Sequence, residues 1–306
     1  MKILDLKDLK NLKDNTCVTL GFFDGMHLGH QKILSVLSST AKENDLKSLV
    51  ITFAEDVLNL FKMTKSIVSI EEKLSAIASF NIDYVLVLKV TDNFMGLSAI
   101  EFKEQVLDMI NTKYVICGSD FSFARKKEGN IEFLRNNSNY NIIQVDDVII
   151  NGDKVSSTFI RNLISNGNVD KANQLLFKSF SINSSVENGL KIGRNIGFKT
   201  ANLKITDSCY LLKQGVYFGY VSYNNIDYKA MINVGINPTI NLNDNLKIEA
   251  HILDFSEEIY NEKISLTFLT YYREEKKFEN LDELRNQLSI DAYNLKKFNK
   301  IYKYSK

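Results

Sequence analysis

The sequence of 306 residues has one proline, three histidines and no tryptophan. At about 5% average usage, a chain of this length would carry roughly fifteen prolines. Collagen-like and proline-rich architectures are therefore excluded. Scarce proline beside abundant Asn, Lys and Ile points to a coding bias, which makes each remaining proline or histidine more informative. Cysteine is also sparse. Cys17, Cys117 and Cys209 lie far apart with no CxxC spacing, which argues against a disulfide framework or a zinc site and suits a reducing compartment. Neither sign of charge dominates, with 38 basic against 37 acidic residues, so there is no overall basic field for nucleic acid and no acidic excess of a disordered chain. No run approaches the roughly 18 apolar residues of a membrane span, and residues 1–16 lack the apolar centre of a signal peptide. These absences predict a cytoplasmic protein with no nucleic-acid and no membrane partner.

What is present is an ordinary globular composition, 44% hydrophobic and 25% charged. The length predicts two domains. In the first half, strand-like runs (17–22, 48–53, 84–90, 114–117 and 144–150) alternate with helix-like periodicity at 28–37 and 98–110. That alternation predicts an α/β domain with a parallel sheet. The second half changes character. Strand-like runs at 215–223 and 228–234 flank Asn224–Asn225, a hairpin signal, and 247–255 and 264–271 are two more. Short strands with polar turns predict a small antiparallel β-barrel, followed by a C-terminal helix through Leu281, Leu284, Leu288, Ala292 and Leu295. The change falls near 177–186, giving expected domains 1–180 and 181–306.

Two constellations carry chemistry. The first runs Gly21-Phe22-Phe23-Asp24-Gly25-Met26-His27-Leu28-Gly29-His30, between the first strand and first helix. Its glycines permit close approach to a ligand, and a helix start binds anions through free N–H groups. His27 and His30, three apart, can share one side of the turn and stabilise charge at a phosphorus centre. A zinc pair is the alternative for two such histidines, but no third ligand cluster is visible. The second constellation runs Gly193-Arg194-Asn195-Ile196-Gly197-Phe198-Lys199-Thr200-Ala201-Asn202. Thr200 and Asn202, two apart on an extended segment, point the same way and supply neutral oxygens that suit Mg²⁺ held mainly by nucleotide phosphates. Further on, Glu249, His251 and Leu253 alternate with Ile248, Ala250 and Ile252, placing the two sets on opposite faces of a strand.

The first segment resembles the HxGH nucleotidyltransferases. Its longer form, GxFDGxHxGH, resembles the FMN adenylyltransferase module of bacterial bifunctional riboflavin kinase/FAD synthetases. Residues 115–123 resemble that family's VxGxDFxFG loop, and 155–161 its ISSTxIR motif. Residues 193–202, 233–239 and 248–255 resemble the GRxxGFPTANL, NxGxNPT and ExHxLDF segments of the riboflavin kinase module. The resemblance covers about residues 15–295 with its motifs in the family's order.

It implies ATP, riboflavin and FMN as substrates and Mg²⁺ as cofactor, in a monomer or weak homo-oligomer. His27, His30 and Glu249 become the expected catalytic residues, with Glu249 as base. Gly21, Phe22, Asp24, Gly25, Asp120, Ser157, Thr158, Arg161, Gly193, Arg194, Gly197, Thr200 and Asn202 become expected nucleotide contacts. Thr200 and Asn202 are the expected metal ligands, and Arg273 is expected to approach the flavin. The sequence departs from the family pattern in three places. Thr52-Phe53-Ala54-Glu55-Asp56-Val57 stands where the family has TFxPHP, Ala124 replaces a glycine and Lys199 a proline. A riboflavin kinase with a degenerate first domain, and a non-catalytic flavin- or nucleotide-binding protein, remain as alternatives.

Overall fold

The computed structural model describes residues 1–54, 65–89, 96–187, 198, 200–236 and 246–298. The chain divides into two compact units, Met1–Ser157 and Thr158–Lys306. The first contains β1 (Lys2–Leu4), β2 (Thr16–Leu20), α1 (Leu28–Glu43), β3 (Lys47–Phe53), α2 (Ile70–Ala78), β4 (Tyr84–Leu88), α3 (Ala99–Phe102), β5 (Thr112–Cys117), α4 (Ile131–Asn137) and β6 (Asn141–Gln144). From the division onward come α5 (Ser157–Ser165), α6 (Val169–Leu175), β7 (Ser181–Glu187), β8 (Ala201–Leu203), β9 (Gly215–Tyr223), β10 (Ile226–Ile236), β11 (Leu246–Ile252), β12 (Lys263–Arg273) and α7 (Leu281–Lys297).

In the first unit the six strands form one parallel sheet in the order β1-β4-β3-β2-β5-β6. The central strands β2 and β3 are buried along almost their whole length, as a parallel sheet covered on both faces requires. Leu49, Ile51, Leu86 and Leu88 are fully buried, and Phe102, Val106 and Ile110 join them in the same apolar cluster. Helix starts follow side-chain chemistry. Ser69 and Glu72 form a reciprocal capping box on α2, and Ser98 and Glu101 do the same on α3.

Two expectations are corrected here. The helix expected over 98–110 is a four-residue α3 followed by a wider, π-type turn at Lys103–Leu107. The strand expected over 144–150 stops at Gln144, and pairing resumes only at Ile149–Ile150 with Asp153–Lys154. Between them Asp147 accepts hydrogen bonds from the Ser119 hydroxyl, at 2.8 and 2.9 Å, instead of continuing a ladder.

In the second unit β7-β8-β11-β10-β9-β12 form a closed antiparallel barrel. Tyr217, Ile232, Val234, Ile248, Ala250, Leu266 and Phe268 are fully buried. The β9–β10 hairpin turns at Asn224 and Asn225 with φ of 50° and 61°, the doubly left-handed turn that matches strand twist. Gly219 is required where β9 meets β12, because a side chain there would overlap the carbonyl oxygen of Thr267. Helix α7 lies on the outer face, where Leu295 packs with Phe218, Met231 and Leu253. Leu281, expected on its apolar stripe, is 55% exposed. It is the first residue of the helix, before the stripe reaches the barrel.

Candidate active sites

The strand order of the first sheet creates a switch point. The chain steps from β2 to β3 and β4 on one side, then places β5 on the other side of β2. Ligands of such sheets bind beyond the carboxyl ends of the strands at that point. Residues 21–30 leave β2 there, and Gly118–Asp120 leave β5. Phe23, Gly25 and Met26 have φ of 52°, 78° and 42°, a conformation costly for all but glycine. Phe23 and Met26 are each 2% exposed, so packing holds this strained turn in place.

His27 caps α1 with extended backbone. Its ring stacks on that of His30, with centroids 3.7 Å apart and planes 20° apart. Phe23 backs His30 at 5.1 Å. Gly29 is needed because an added side chain would press on the His27 ring at 3.2 Å. His30 Nδ1 is buried and makes no hydrogen bond to any described residue. Burial, then the neighbouring His27, then Lys73, hold the His30 pKa well below its ordinary value. Both imidazoles thus stand at the start of α1, the end of a helix whose free N–H groups favour anions.

The surroundings of the histidines are built from side chains that serve the backbone. Asp24 Oδ1 accepts hydrogen bonds from the Ser66 hydroxyl at 3.1 Å and the amides of Ile67 and Val68 at 2.9 and 3.4 Å. It therefore braces residues 66–68. Ser157 Oγ donates to the Asp24 carbonyl at 2.9 Å, which ties Ser157 itself to this loop. Thr158 and Arg161 lie one turn apart on α5. Asp120 is ion-paired with Lys154, which also meets Asp147 at 3.1 Å. Lys73 of α2 was not legible as a site residue. It is buried and donates to the carbonyls of Phe22 at 3.2 Å and Phe53 at 2.9 Å. The capping box that starts its helix is the signal that would have placed it. Ala124, at the family's glycine position, has φ 63° and ψ −179°, a region that favours glycine. Glu55 and Asp56 lie outside the described residues.

In the barrel, strand register assembles a row that sequence spacing does not reveal. Asn202 of β8 is opposite Glu249 of β11, Glu249 is opposite Asn233 of β10, Asn233 is opposite Val216 and Val216 opposite Arg273. The neighbours Ala250 and Ile232 are fully buried inside, so by alternation Asn202, Glu249 and Asn233 stand on the outer face. Directly opposed side chains there have Cβ atoms about 4.5–5.5 Å apart. Thr200 is two residues before Asn202. His251, two after Glu249, meets the ring of Phe198 at 4.9 Å. Asn233 Nδ2 donates to Glu275 Oε1 at 3.2 Å, and Lys247 Nζ lies 2.8 Å from Glu249 Oε1.

Arg273 ends the row, and its guanidinium is engaged. Nε and Nη2 donate to Asp291 Oδ2 of α7 at 3.1 and 2.6 Å, and Nη1 to the Glu274 carbonyl at 2.9 Å. Among the described residues there is no group of three or more His, Cys, Asp or Glu able to hold a metal. Neutral Thr and Asn oxygens beside a carboxylate fit Mg²⁺ that arrives with phosphates. Gly193, Arg194, Gly197, Lys199 and Pro238 lie outside the described residues. The thiols of Cys17 and Cys117 are pushed up to about 12 and about 11 by burial, which makes them poor nucleophiles.

These two sites correspond to two family matches. The FAD synthetase family model matches residues 9–159 and the riboflavin kinase model residues 176–299. A bifunctional riboflavin kinase/FMN adenylyltransferase of Buchnera aphidicola subsp. Schizaphis graminum is 33% identical over 97% of this chain and 99% of its own length. The chain belongs to the bifunctional riboflavin kinase/FMN adenylyltransferase family. Another member of this family, from Listeria monocytogenes, is 33% identical over 93% of this chain and 92% of its own. A crystal structure described as a macrolide-efflux protein from Streptococcus pneumoniae is 30% identical. It superposes with a TM-score of 0.86, covering 98% of this chain and all of that one. The described residues here include no helix long and apolar enough to cross a membrane.

Proposed function

We propose that this family member performs both steps from riboflavin to FAD, with the kinase step in the barrel and adenylylation at the β2–β5 switch point. The reading is carried by two family models that match one chain, with His27 and His30 inside residues 9–159 and Thr200, Asn202 and Glu249 inside residues 176–299.

In the kinase step the Glu249 carboxylate takes the proton of the ribityl 5′-hydroxyl, whose oxygen attacks the γ-phosphorus of ATP and releases ADP. General-base assistance of this kind contributes about 10²–10⁴-fold. Thr200 and Asn202 would hold Mg²⁺ together with the nucleotide phosphates. Bound there, it would offset phosphate charge. In the second step a phosphate oxygen of FMN attacks the α-phosphorus of another ATP, and pyrophosphate leaves. His27 and His30 donate to the phosphate oxygens as charge develops. Asp24 acts through residues 66–68, and Lys73 through the carbonyls of Phe22 and Phe53, to fix the loop that presents them. Arg273 orients α7 at the edge of the flavin site. We place the working protein in the cytoplasm as a monomer or weak homo-oligomer, with small-molecule partners only. Free buried thiols and the lack of a charge excess support that placement.

The test is incubation of purified protein with riboflavin, ATP and Mg²⁺, with chromatographic resolution of riboflavin, FMN and FAD. FAD is the expected end product. FMN alone would leave only the kinase, and no product would overturn the reading. Supplying FMN with ATP isolates the second step.

A further inference from the structure

The outer-face row places one lysine on the expected base. Lys247 precedes Glu249 by two residues on β11, so both point outward, and Lys247 Nζ lies 2.8 Å from Glu249 Oε1. The lysine is directly opposite Gly235 of β10, next to the Glu249–Asn233 pair. Gly235 is open for a reason, since a side chain there would overlap the Glu275 carboxylate. Glu275 is in turn held by Asn233. Lys247 therefore stands in a block of four positions on two strands, flanked by one carboxylate on its own strand and another over the facing strand.

As a contribution to folding this pair is minor. The side chains are 35% and 26% exposed, and solvent screens an ion pair so exposed. Its consequence for chemistry is larger. A carboxylate on a barrel strand rotates about its side-chain bonds unless something holds it, and general-base catalysis needs the accepting oxygen within hydrogen-bond reach of the proton. One ammonium donor on Oε1 restrains the carboxylate and leaves Oε2 to accept.

We propose that Lys247 is a positioning residue of the kinase step, orienting Glu249 through Oε1 so that Oε2 is left to accept the proton. The proposal rests on Glu249 being the base. The ribityl hydroxyl proton passes to Glu249 Oε2 and the new O–P bond forms. The bond from the γ-phosphorus to the bridging oxygen breaks, with its electron pair leaving on ADP. Lys247 exchanges no proton.

The test compares full-length wild type, Lys247→Met, Lys247→Arg and Glu249→Gln in steady-state FMN formation, with thermal unfolding recorded for each. Lys247→Met is expected to lower kcat roughly tenfold or more, the scale of a lost charge-assisted hydrogen bond at a reacting group. KM for riboflavin and the unfolding midpoint should stay near wild type. Lys247→Arg, which keeps the charge and donors, should recover most of the lost kcat. An unchanged kcat in Lys247→Met, or a rise in KM alone, overturns the proposal while leaving the base intact if Glu249→Gln is inactive. A Glu249→Gln protein that still makes FMN at the wild-type rate overturns the base assignment, and the proposal with it.

Discussion

His27 and His30 sit 3.7 Å apart at the start of a helix, with the buried Nδ1 of His30 hydrogen-bonded to no described residue. Glu249 instead stands on the outer face of a barrel strand, a quarter exposed, with a lysine on one oxygen. The first site is preformed by strain and packing. Left-handed Phe23 and Met26, the brace from Asp24 and the buried Lys73 all shape it. The second is preformed by register, since three strands bring Asn202, Glu249 and Asn233 into line. In a site held by packing, burial disfavours the charged form of a side chain such as His30. A site held by a sheet's outer face presents charges that must be steered by neighbours. Variants should therefore fail differently in the two regions.

The largest effects should separate the activities. Glu249→Gln is expected to reduce FMN formation by about 10²–10⁴-fold and leave FAD formation from added FMN intact. His30→Ala should do the reverse, lowering FAD formation by about 10²–10³-fold, the scale for losing a donor to a charged transition state. Both are read by chromatography of the same reaction. Either variant losing both steps would break the division between the sites.

Next comes the anchor of α7. Asp291 is fully buried against Arg273, which is 16% exposed. Removing one partner of a buried pair strands the other charge and costs about 3–5 kcal/mol. Asp291→Ala should lower the denaturant midpoint of the barrel unit and FMN formation together, with FAD formation from FMN retained. A small loss of stability would mean that Arg273 finds water or a flavin instead, and would sharpen its assignment.

A smaller effect of opposite sign is expected in the first unit. Ala124 holds φ 63° and ψ −179°, where strain of about 1–3 kcal/mol is typical for a non-glycine residue. Ala124→Gly should raise the unit's unfolding midpoint. No change, or a loss, would mean that chain entropy gained by glycine in the unfolded state outweighs the strain.

Ala124 also shows what a sequence carries and what it conceals. A glycine was expected there by resemblance, but its reason, the backbone angle, exists only in the folded loop. The His27–His30 pair was legible because three residues of spacing and flanking glycines are local signals. The faces of β11 were legible too, since alternation alone puts Glu249 and His251 opposite Ile248, Ala250 and Ile252. The alignment of Glu249 with Asn202 and Asn233 was not, because register between strands far apart in sequence is decided by barrel closure. Lys73 was hidden for the same reason. A lysine in an acidic, capped helix reads as solvated until packing turns it toward two carbonyls. The strand expected at 144–150 failed because apolar alternation does not show that Asp147 will be taken by Ser119 and Lys154.

The smallest predicted effect tests whether the first site is truly prepared in a neutral state. Burial and two neighbouring basic groups hold the His30 pKa well below its ordinary value, whereas in the unfolded chain it titrates near about 6.5. The unfolded state therefore binds the proton first as pH falls. His30 contributes stability that is present above about pH 6.5 and is lost as pH drops below it, by no more than about 1.4 kcal/mol per pH unit. Urea unfolding of wild type and His30→Asn between pH 8 and pH 5 should show a wild-type decline that the variant lacks. A triphosphate placed on the histidines would favour their charged form, so ATP binding should take up protons near neutral pH. Calorimetric titration in buffers of different ionisation enthalpy measures that uptake directly. Binding without proton uptake would mean that His30 stays neutral against the nucleotide, so that the helix start carries the phosphate.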